Sequence, residues 1–438
     1  MVTKVKVAVQ KKKEGVPGWP HINFDYEKEL SRVMEVVRSE NPDMEFDISM
    51  YSSVDQARAD YEHDKETYDG VLVLMMTNWL KIDEFYCRQA KDGLPVIVAD
   101  VPFCGSGSIL AQTSPLIREE KLPVALVGSK DYRTIGWNVR IFSALKKVRE
   151  STILVVKNKP DLQSEAAAQK LWGCRFVNLC SDDLMKYFHQ IPDNDAQATA
   201  ETWKREALKV MEPSDNDILE SARLYHAIMK AKEEYSADAV TIDCLELGYN
   251  DSYCLNRHLY PCLSYYQMNN DGMIGVCEAD INSTVMSMLV LYVTGRPGYV
   301  SDPVIDTSSD QITYAHCVAC RKVFGKDDPR TCQYYIRSHA EDQLGASVQV
   351  IFPEGEPLTT VNLSHVGKWA TIHSGISAGN AFGDAGCRSK LVASVNAKAL
   401  LRNWAPQWHR VTVFGEYREV FENLFRMKGL EIREEDRG

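Results

Sequence analysis

The sequence lacks any apolar stretch long enough to cross a bilayer: its most apolar run, Val285 to Val293, falls far short of the roughly 20 residues that a membrane-spanning helix needs. It also lacks an excess of basic charge. With 50 Lys+Arg against 61 Asp+Glu the formal charge is 50 − 61 = −11, so no overall field draws a phosphate backbone or an anionic lipid surface, and neither nucleic acid nor a membrane is expected as a partner. Cysteine is present but not organised. Twelve thiols scattered over 438 residues have neither the density nor the spacing of a disulfide framework and read as reduced, mostly buried small hydrophobes. The opening segment MVTKVKVAVQKKK alternates like a strand and has no secretory apolar centre of roughly 7–15 residues. A cytoplasmic location is the expectation.

What is there is ordinary globular composition. An apolar share of 45% with 25% charged residues sets disordered and collagen-like classes aside, and the length suits two or three domains at roughly 100–200 residues each. In the first third, strand-like Val5 to Val9, Gly70 to Met76, Leu94 to Asp100 and Leu122 to Gly128 alternate with helical patterns, of which Tyr26 to Glu40 places Leu30, Val33, Met34 and Val37 on one face. Near-continuous apolar runs separated by helices predict a parallel sheet covered on both faces. The pattern restarts with strands at Thr152 to Lys157, Arg175 to Cys180 and Ala239 to Asp243 and a long helix from Asp217 to Tyr235, capped by Ser214 or Asp215. The last third carries short β-branched or alternating runs at Ser347 to Phe352, Thr359 to Leu363, Lys368 to Ile376, Ser389 to Val395 and Val411 to Phe414, then an amphipathic helix from Tyr417 to Lys428. The fold class expected is therefore α/β: two doubly wound, Rossmann-like units over residues 1–150 and 151–325, followed by a mostly antiparallel, barrel-like β domain over 326–438.

Two motif fragments carry little. Cys104 to Ser108 (CGSGS) follows a strand but lacks the full G-x-G-x-x-G spacing and the acidic residue beyond it, so it reads as a loop, and NAD is not expected. Cys317-x-x-Cys320 has no second pair at structural-zinc spacing and reads as core or loop cysteines. The segment Gly272 to His316 is more informative. An apolar strand runs into Glu278 and Asp280, then an apolar helix, then a second strand ending at Asp302. Read as a parallel crossover, this sets Glu278 and Asp302 at one crevice, where two carboxylates repel unless a cation or a shared proton lies between them. The residues alone leave other roles open: a helix N-cap for Asp280, a solvated turn for Asp302, an ion pair for Glu278.

The stretch CEADINSTVMSMLVLYVTGRPGYVSD, Cys277 to Asp302, closely resembles the segment of L-fucose isomerases in which an E-A-D turn precedes a helix, a T-G-x-P turn and a short strand ending in Asp. The resemblance puts Glu278 and Asp302, 302 − 278 = 24 residues apart, on that family's two manganese-binding carboxylates. Trp408-His409-Arg410 before VTVFGE is similar to the family's N-H-G stretch, which puts His409 on the third metal ligand. The neighbouring L-arabinose isomerases show a Glu matching Glu278 and a metal-ligating His matching His316. Specific motifs cover about residues 240–320 and 400–430, the rest is weakly similar, and the chain is shorter than L-fucose isomerases. It departs from the family at Trp408 and Arg410, and its Gly15 to His21 stretch differs from the sugar-contacting one.

The resemblance implies a metal-dependent aldose–ketose isomerase that works through an enediolate. Mn2+ or another divalent ion is the expected cofactor, a monosaccharide the substrate, and a homo-oligomer, trimer or hexamer, the assembly. Glu278 and Asp302 would be both ligands and proton carriers, with His409 completing the protein's share of the metal shell. His316, Trp79, Asp243, Glu246, Trp408 and Arg410 are expected at the substrate. Core packing is as good a reading for Trp79, a buried ring bonded to backbone for His316, and a helix cap for Asp243 and Glu246. Because Arg296, Arg388 and Arg410 lie in or near the matching segments, an anionic aldose such as a sulfosugar stands beside a neutral deoxyhexose or pentose; if none of the three reaches the site, the neutral sugar is the expectation. A non-catalytic sugar-binding sensor on the same scaffold, or a metal-dependent epimerase or lyase, are the alternatives.

Overall fold

Residues 2–245, 247, 258–383 and 385–437 are described by a computed structural model, in which the chain divides into two units, Met1–Lys147 with Glu419–Glu431 and Val148–Arg418 with Ile432–Gly438. In the first unit the apolar runs become five parallel strands, β1 (Thr3–Gln10), β2 (Met44–Tyr51), β3 (Gly70–Met75), β4 (Val96–Asp100) and β5 (Val124–Gly128), in the order β2-β1-β3-β4-β5. Every residue of β3 and β4 is buried, as a sheet with helices on both faces requires. The helix Tyr26–Glu40 starts where the Asp25 carboxylate accepts from the Lys28 N–H at 3.0 Å. It buries Leu30, Val33, Met34 and Val37, the face its periodicity marks. Residues 419–431 join this unit through Asn423, whose amide donates to Asn138 Oδ1 at 2.8 Å and to the Leu126 carbonyl at 3.3 Å.

The second unit holds β6 (Thr152–Val156), β7 (Arg175–Leu179), β8 (Lys209–Val210), β9 (Ala239–Ile242) and β10 (Ile274–Cys277), of which β10-β9-β6-β7 form a four-stranded parallel sheet. The long helix Asp215–Glu234 begins in a capping box, the Ser214 and Asp217 side chains each bonding the other's backbone. Beyond it run β11 (Tyr299–Asp306), β12 (Gln311–His316), β13 (Gln333–Arg337), β14 (Ser347–Ile351), β15 (Pro357–Ser364), β16 (Trp369–Asn380), β17 (Ser389–Ser394), β18 (Arg410–Phe414) and β19 (Glu431–Glu434). Six of these, β15-β18-β11-β12-β17-β16, pair antiparallel in that order, and the β15–β16 pairing closes them into a barrel, with β19 appended to β16. The fold class expected from the sequence, two Rossmann-like sheets and an antiparallel barrel, is what the structure has.

Two local expectations are corrected. The strand ending at Asp302 is not a parallel partner of β10. It runs on to Asp306, where that carboxylate accepts from the Ser308 N–H at 2.9 Å and from the Ser308 and Ser309 hydroxyls. This tight turn sends the chain straight back as β12, and a hairpin return makes the pair antiparallel. The run Ser347 to Phe352 is also outside the barrel, because β14 pairs with β13 and β13 with the two-residue β8 in a sheet of its own.

The helix Ile281–Thr294 explains how sheet and barrel share one core. It is apolar nearly all round and almost wholly buried, which suits a helix packed on two sides. It touches β9 and β10 of the sheet and β11, β15 and β18 of the barrel. Gly295 ends it in a left-handed C-cap with φ 69°. Gly298 then lets β11 close on β18, since a Cβ there would stand 2.5 Å from Val411 Cγ1. Among the described residues no helix is long and apolar enough to cross a membrane.

Candidate functional site

Four elements of the second unit converge on one small polar cluster. Strand β10 ends at Cys277, and the next two residues are both left-handed, Glu278 at φ 65° and Ala279 at φ 48°. The Ala279 N–H donates to the Ile242 carbonyl at the end of β9, 3.1 Å away. Two consecutive non-glycine residues in this region cost about 1–2 kcal/mol each, and such strain collects where a side chain is held for function. Asp280 then caps the helix Ile281–Thr294, accepting from the Ser283 N–H at 3.1 Å and the Ser283 hydroxyl at 2.6 Å. From the barrel, register does the positioning. Ser301 of β11 pairs with Arg410 of β18, which sets Asp302 near His409, and Asp302 pairs with Ala315 of β12, next to His316.

Side-chain atoms meet across this junction. His409 Nε2 lies 3.4 Å from Glu278 Oε2 and 3.3 Å from Asp302 Oδ1, and His316 Nε2 lies 3.5 Å from Glu278 Oε1. The other ring nitrogen of His409, Nδ1, is 2.9 Å from Asp280 Oδ2. The Asn362 amide donates to the His409 carbonyl at 2.8 Å and fixes its backbone. Cys387 Sγ approaches Asp302 Oδ2 at 3.8 Å. The imidazoles enter from the buried side, 4% and 5% exposed, whereas the Glu278 and Asp302 carboxylates are 28% and 23% exposed and look toward solvent.

The electrostatics follow from this crowding. Burial opposes ionisation of Glu278, but the neighbouring His316 and His409 imidazoles outweigh it and hold the carboxyl well below its usual range. His409 responds in the opposite sense. Burial penalises its cation, yet Asp280, Asp302 and Glu278 together hold its ring well above the ordinary histidine value. Asp280 is likewise lowered, against its own burial, chiefly by the His409 bond.

The cluster fits a divalent metal ion. Glu278, His316 and His409 each offer a ligand atom, all within 4.8 Å of one another. His409 Nε2 and Asp302 Oδ1 are buried and face each other without a hydrogen bond. Donors at about 2.0–2.2 Å from a shared ion stand roughly 3 Å from each other, close to these separations. Mixed imidazole and carboxylate donors suit a borderline first-row divalent cation. Asp302, expected as a ligand, is not one of these three, though its Oδ1 lies 3.3 Å from His409 Nε2, whereas His316, expected at the substrate, is one of them.

Several of the other residues expected at the substrate are already engaged. Arg410 is a correction: its guanidinium is fully buried and paired with Glu435, at 2.5 Å from Nη2 and 3.1 Å from Nε, and it stacks on Trp404 at 3.9 Å. It also donates to the carbonyls of Ala405, Gln407 and His409. It braces the His409 backbone from behind and presents nothing to a ligand. Arg388 donates to the Ser338 carbonyl and hydroxyl, and Arg296 to the Phe414 carbonyl. Asp243, at the carboxyl end of β9, pairs with Lys157 beyond β6 at 2.7 Å. Trp408 is 72% exposed beside His409 in the chain. Glu246 lies outside the described residues. Trp79 belongs to the first unit, exposed after β3 at φ 69°, with its N–H donating to Ser108 Oγ at 2.8 Å. Asp280, which the sequence marks as a helix cap, also bonds His409 across 129 residues of chain, a contact that no local spacing announces.

No protein-family model matches the chain. Two curated relatives, sulfoquinovose isomerases of Priestia aryabhattai and of Priestia megaterium, are each 26% identical to it over 220 residues, 47% of this chain and 48% of theirs. The chain thus spans about half the length of the curated relatives it matches. Among solved structures it is similar to a response regulator of the GGDEF type at 14% identity and TM-score 0.26, over 55% of this chain and 82% of that one. A glucose-galactose binding protein from Geobacillus stearothermophilus is 13% identical at TM-score 0.19, over 67% and 92%. Scores this low carry no argument.

Proposed function

We propose that the chain is a divalent-metal-dependent aldose–ketose isomerase acting on an anionic monosaccharide of the sulfosugar class. The observation that carries this reading is the meeting of Glu278, Asp302, His316 and His409 in one half-open cluster, with His409 Nε2 and Asp302 Oδ1 buried, facing each other and unpaired. The two sulfoquinovose isomerases support the reaction type and are the sole ground for the sulfonated substrate, because Arg296, Arg388 and Arg410, the cations that the sequence offered for such a group, are engaged within the protein.

Glu278, Asp302 and His409, with His316 beside them, would hold the ion; a neutral deoxyhexose or pentose is the comparison substrate. When bound, a divalent ion supplies Lewis acidity that lowers the free energy of the enediolate's negative charge. The rest of the work falls to side chains. Interconversion of open-chain aldose and ketose removes a proton from C2, returns one to C1 and moves the O2 hydroxyl proton to O1. Glu278 and Asp302, partly exposed and each close to His409 Nε2, are the two carboxylates this reading places at the sugar. One takes the C2 proton and the pair manages its return. A carboxylate stabilised as an anion is a weak base, so the reaction relies on the substrate proton being made more acidic rather than on a basic Glu278.

The test is turnover of a panel of sulfonated and neutral aldoses by the manganese-loaded protein in deuterated water. Glu278→Gln and Asp302→Asn serve as controls. Ketose carrying deuterium at C1, lost in both variants, supports the reading. Stoichiometric metal and sugar binding without ketose would make the chain a binder, and fragments or a C2 epimer would make it a lyase or an epimerase.

A further inference from the structure

We infer that Asp280 is a positioning residue that aims Nε2 of His409 at the metal, an assignment that rests on the metal-dependent reading above. The geometry has two parts that a helix cap alone does not need. Asp280 divides its oxygens: Oδ1 accepts from the Ser283 N–H at 3.1 Å, and Oδ2 serves both the Ser283 hydroxyl at 2.6 Å and His409 Nδ1 at 2.9 Å. An acceptor-only carboxylate on Nδ1 keeps a proton on that nitrogen, so the lone pair of the neutral ring lies on Nε2. Nε2 is the atom that faces Glu278 at 3.4 Å and Asp302 at 3.3 Å and that has no hydrogen bond of its own.

The cap is what makes this aim rigid. Asp280 sits between the strained Glu278–Ala279 turn and the first turn of a helix buried on all sides, so its carboxylate cannot drift without unseating the helix. His409 is held on the barrel side by Asn362 on its carbonyl and by the register of β18, and the same Asn362 amide also donates to the Ser283 hydroxyl at 3.2 Å. Asp280 therefore spans the junction, tying the loop that carries Glu278 to the barrel residue His409. A carboxylate–imidazole bond also raises the basicity of the ligating nitrogen.

Asp280→Asn separates cap from aim. Its amide oxygen still accepts from the Ser283 N–H, and Asn caps helices as well as Asp. The NH2 group then faces His409 Nδ1 and donates to it, which leaves the ring proton on Nε2, where it blocks coordination. Ser283→Ala removes the hydroxyl from Oδ2 and an acceptor from the Asn362 amide, which keeps its bond to the His409 carbonyl, and leaves the carboxylate on the imidazole. The experiment is calorimetric titration of the metal-free full chain and both variants with Mn2+, together with the melting temperature of each before metal is added. The expected result is a fall of about 10–100-fold in Mn2+ affinity for Asp280→Asn, the usual cost of losing an outer-shell partner. Its metal-free melting temperature should stay near that of the native chain, and Ser283→Ala should bind Mn2+ nearly as tightly as native. Native affinity in Asp280→Asn overturns the inference and leaves the metal reading standing. Equal losses of melting temperature and affinity reduce Asp280 to a helix cap and also overturn it. A native chain that takes up no divalent ion overturns both.

Discussion

Ser301 and Arg410 are register partners in the antiparallel pairing of β11 with β18, and this pairing brings the next residue of one strand, Asp302, to 3.3 Å from the residue preceding the other, His409. The site is thus built where two barrel strands run side by side. It opens toward the end of a parallel sheet strand, which supplies Glu278.

That closeness depends on Gly298, so Gly298→Ala is expected to injure both fold and site. A Cβ there meets Val411 Cγ1 at 2.5 Å, and relief requires β11 to move away from β18. The expected loss of stability is about 1–3 kcal/mol, with a weaker Mn2+ affinity as Asp302 leaves His409. Adding Val411→Ala makes room and should return part of both. Denaturant unfolding and metal titration of the single and double variants measure the coupling.

Metal should stabilise the native chain. Binding at 100 times Kd adds about 2.7 kcal/mol, visible as a higher melting temperature in Mn2+ that a chelator reverses. In His409→Ala that increment is expected to vanish, because the variant removes the nitrogen shared by both carboxylates. Thermal unfolding with and without Mn2+ checks it.

Buried Glu435 predicts acid sensitivity. Burial works against its ionisation, but hydrogen bonds from His373 and Arg410 prevail and pull the carboxyl down to about 2 from the ordinary 4.5. A carboxylate with a lowered folded-state value adds stability that is complete above pH 4.5 and is lost as pH falls toward 2; the 4.5 − 2 difference amounts to about 3 kcal/mol. Glu435→Gln leaves Arg410 buried without its counter-ion and is expected to lose about 3–5 kcal/mol at neutral pH. Its stability should then depend less on pH between 4.5 and 2. Denaturant midpoints across that range provide the comparison.

Lys121→Gly should stabilise without touching the chemistry. Lys121 ends the helix Ser114–Glu120 in the left-handed region at φ 51°, exposed to solvent, a position where glycine avoids the Cβ penalty. A gain of about 0.5–1 kcal/mol is expected, read as a raised denaturant midpoint with unchanged turnover.

The sequence by itself determined whatever depends on neighbours along the chain. Leu30, Val33, Met34 and Val37 announce their helix by spacing, Ser214 and Asp217 announce the start of another, and the apolar runs of β3 and β4 announce a parallel sheet covered on both faces. The cap at Asp280 was legible for the same reason, since a capping bond spans three residues. Tertiary structure alone decided the pairings. Whether the strand through Asp302 joins β10 or turns back in a hairpin depends on partners far along the chain, and a short apolar run looks the same in a parallel sheet and in a barrel. Arg410 shows this most plainly: in sequence it stands beside His409 like a residue waiting for an anion, but Glu435, 25 residues away, had already claimed it inside the core. The second role of Asp280 has the same origin, because the bond to His409 crosses 129 residues of chain, and no local pattern encodes a contact that only the closed barrel brings within reach.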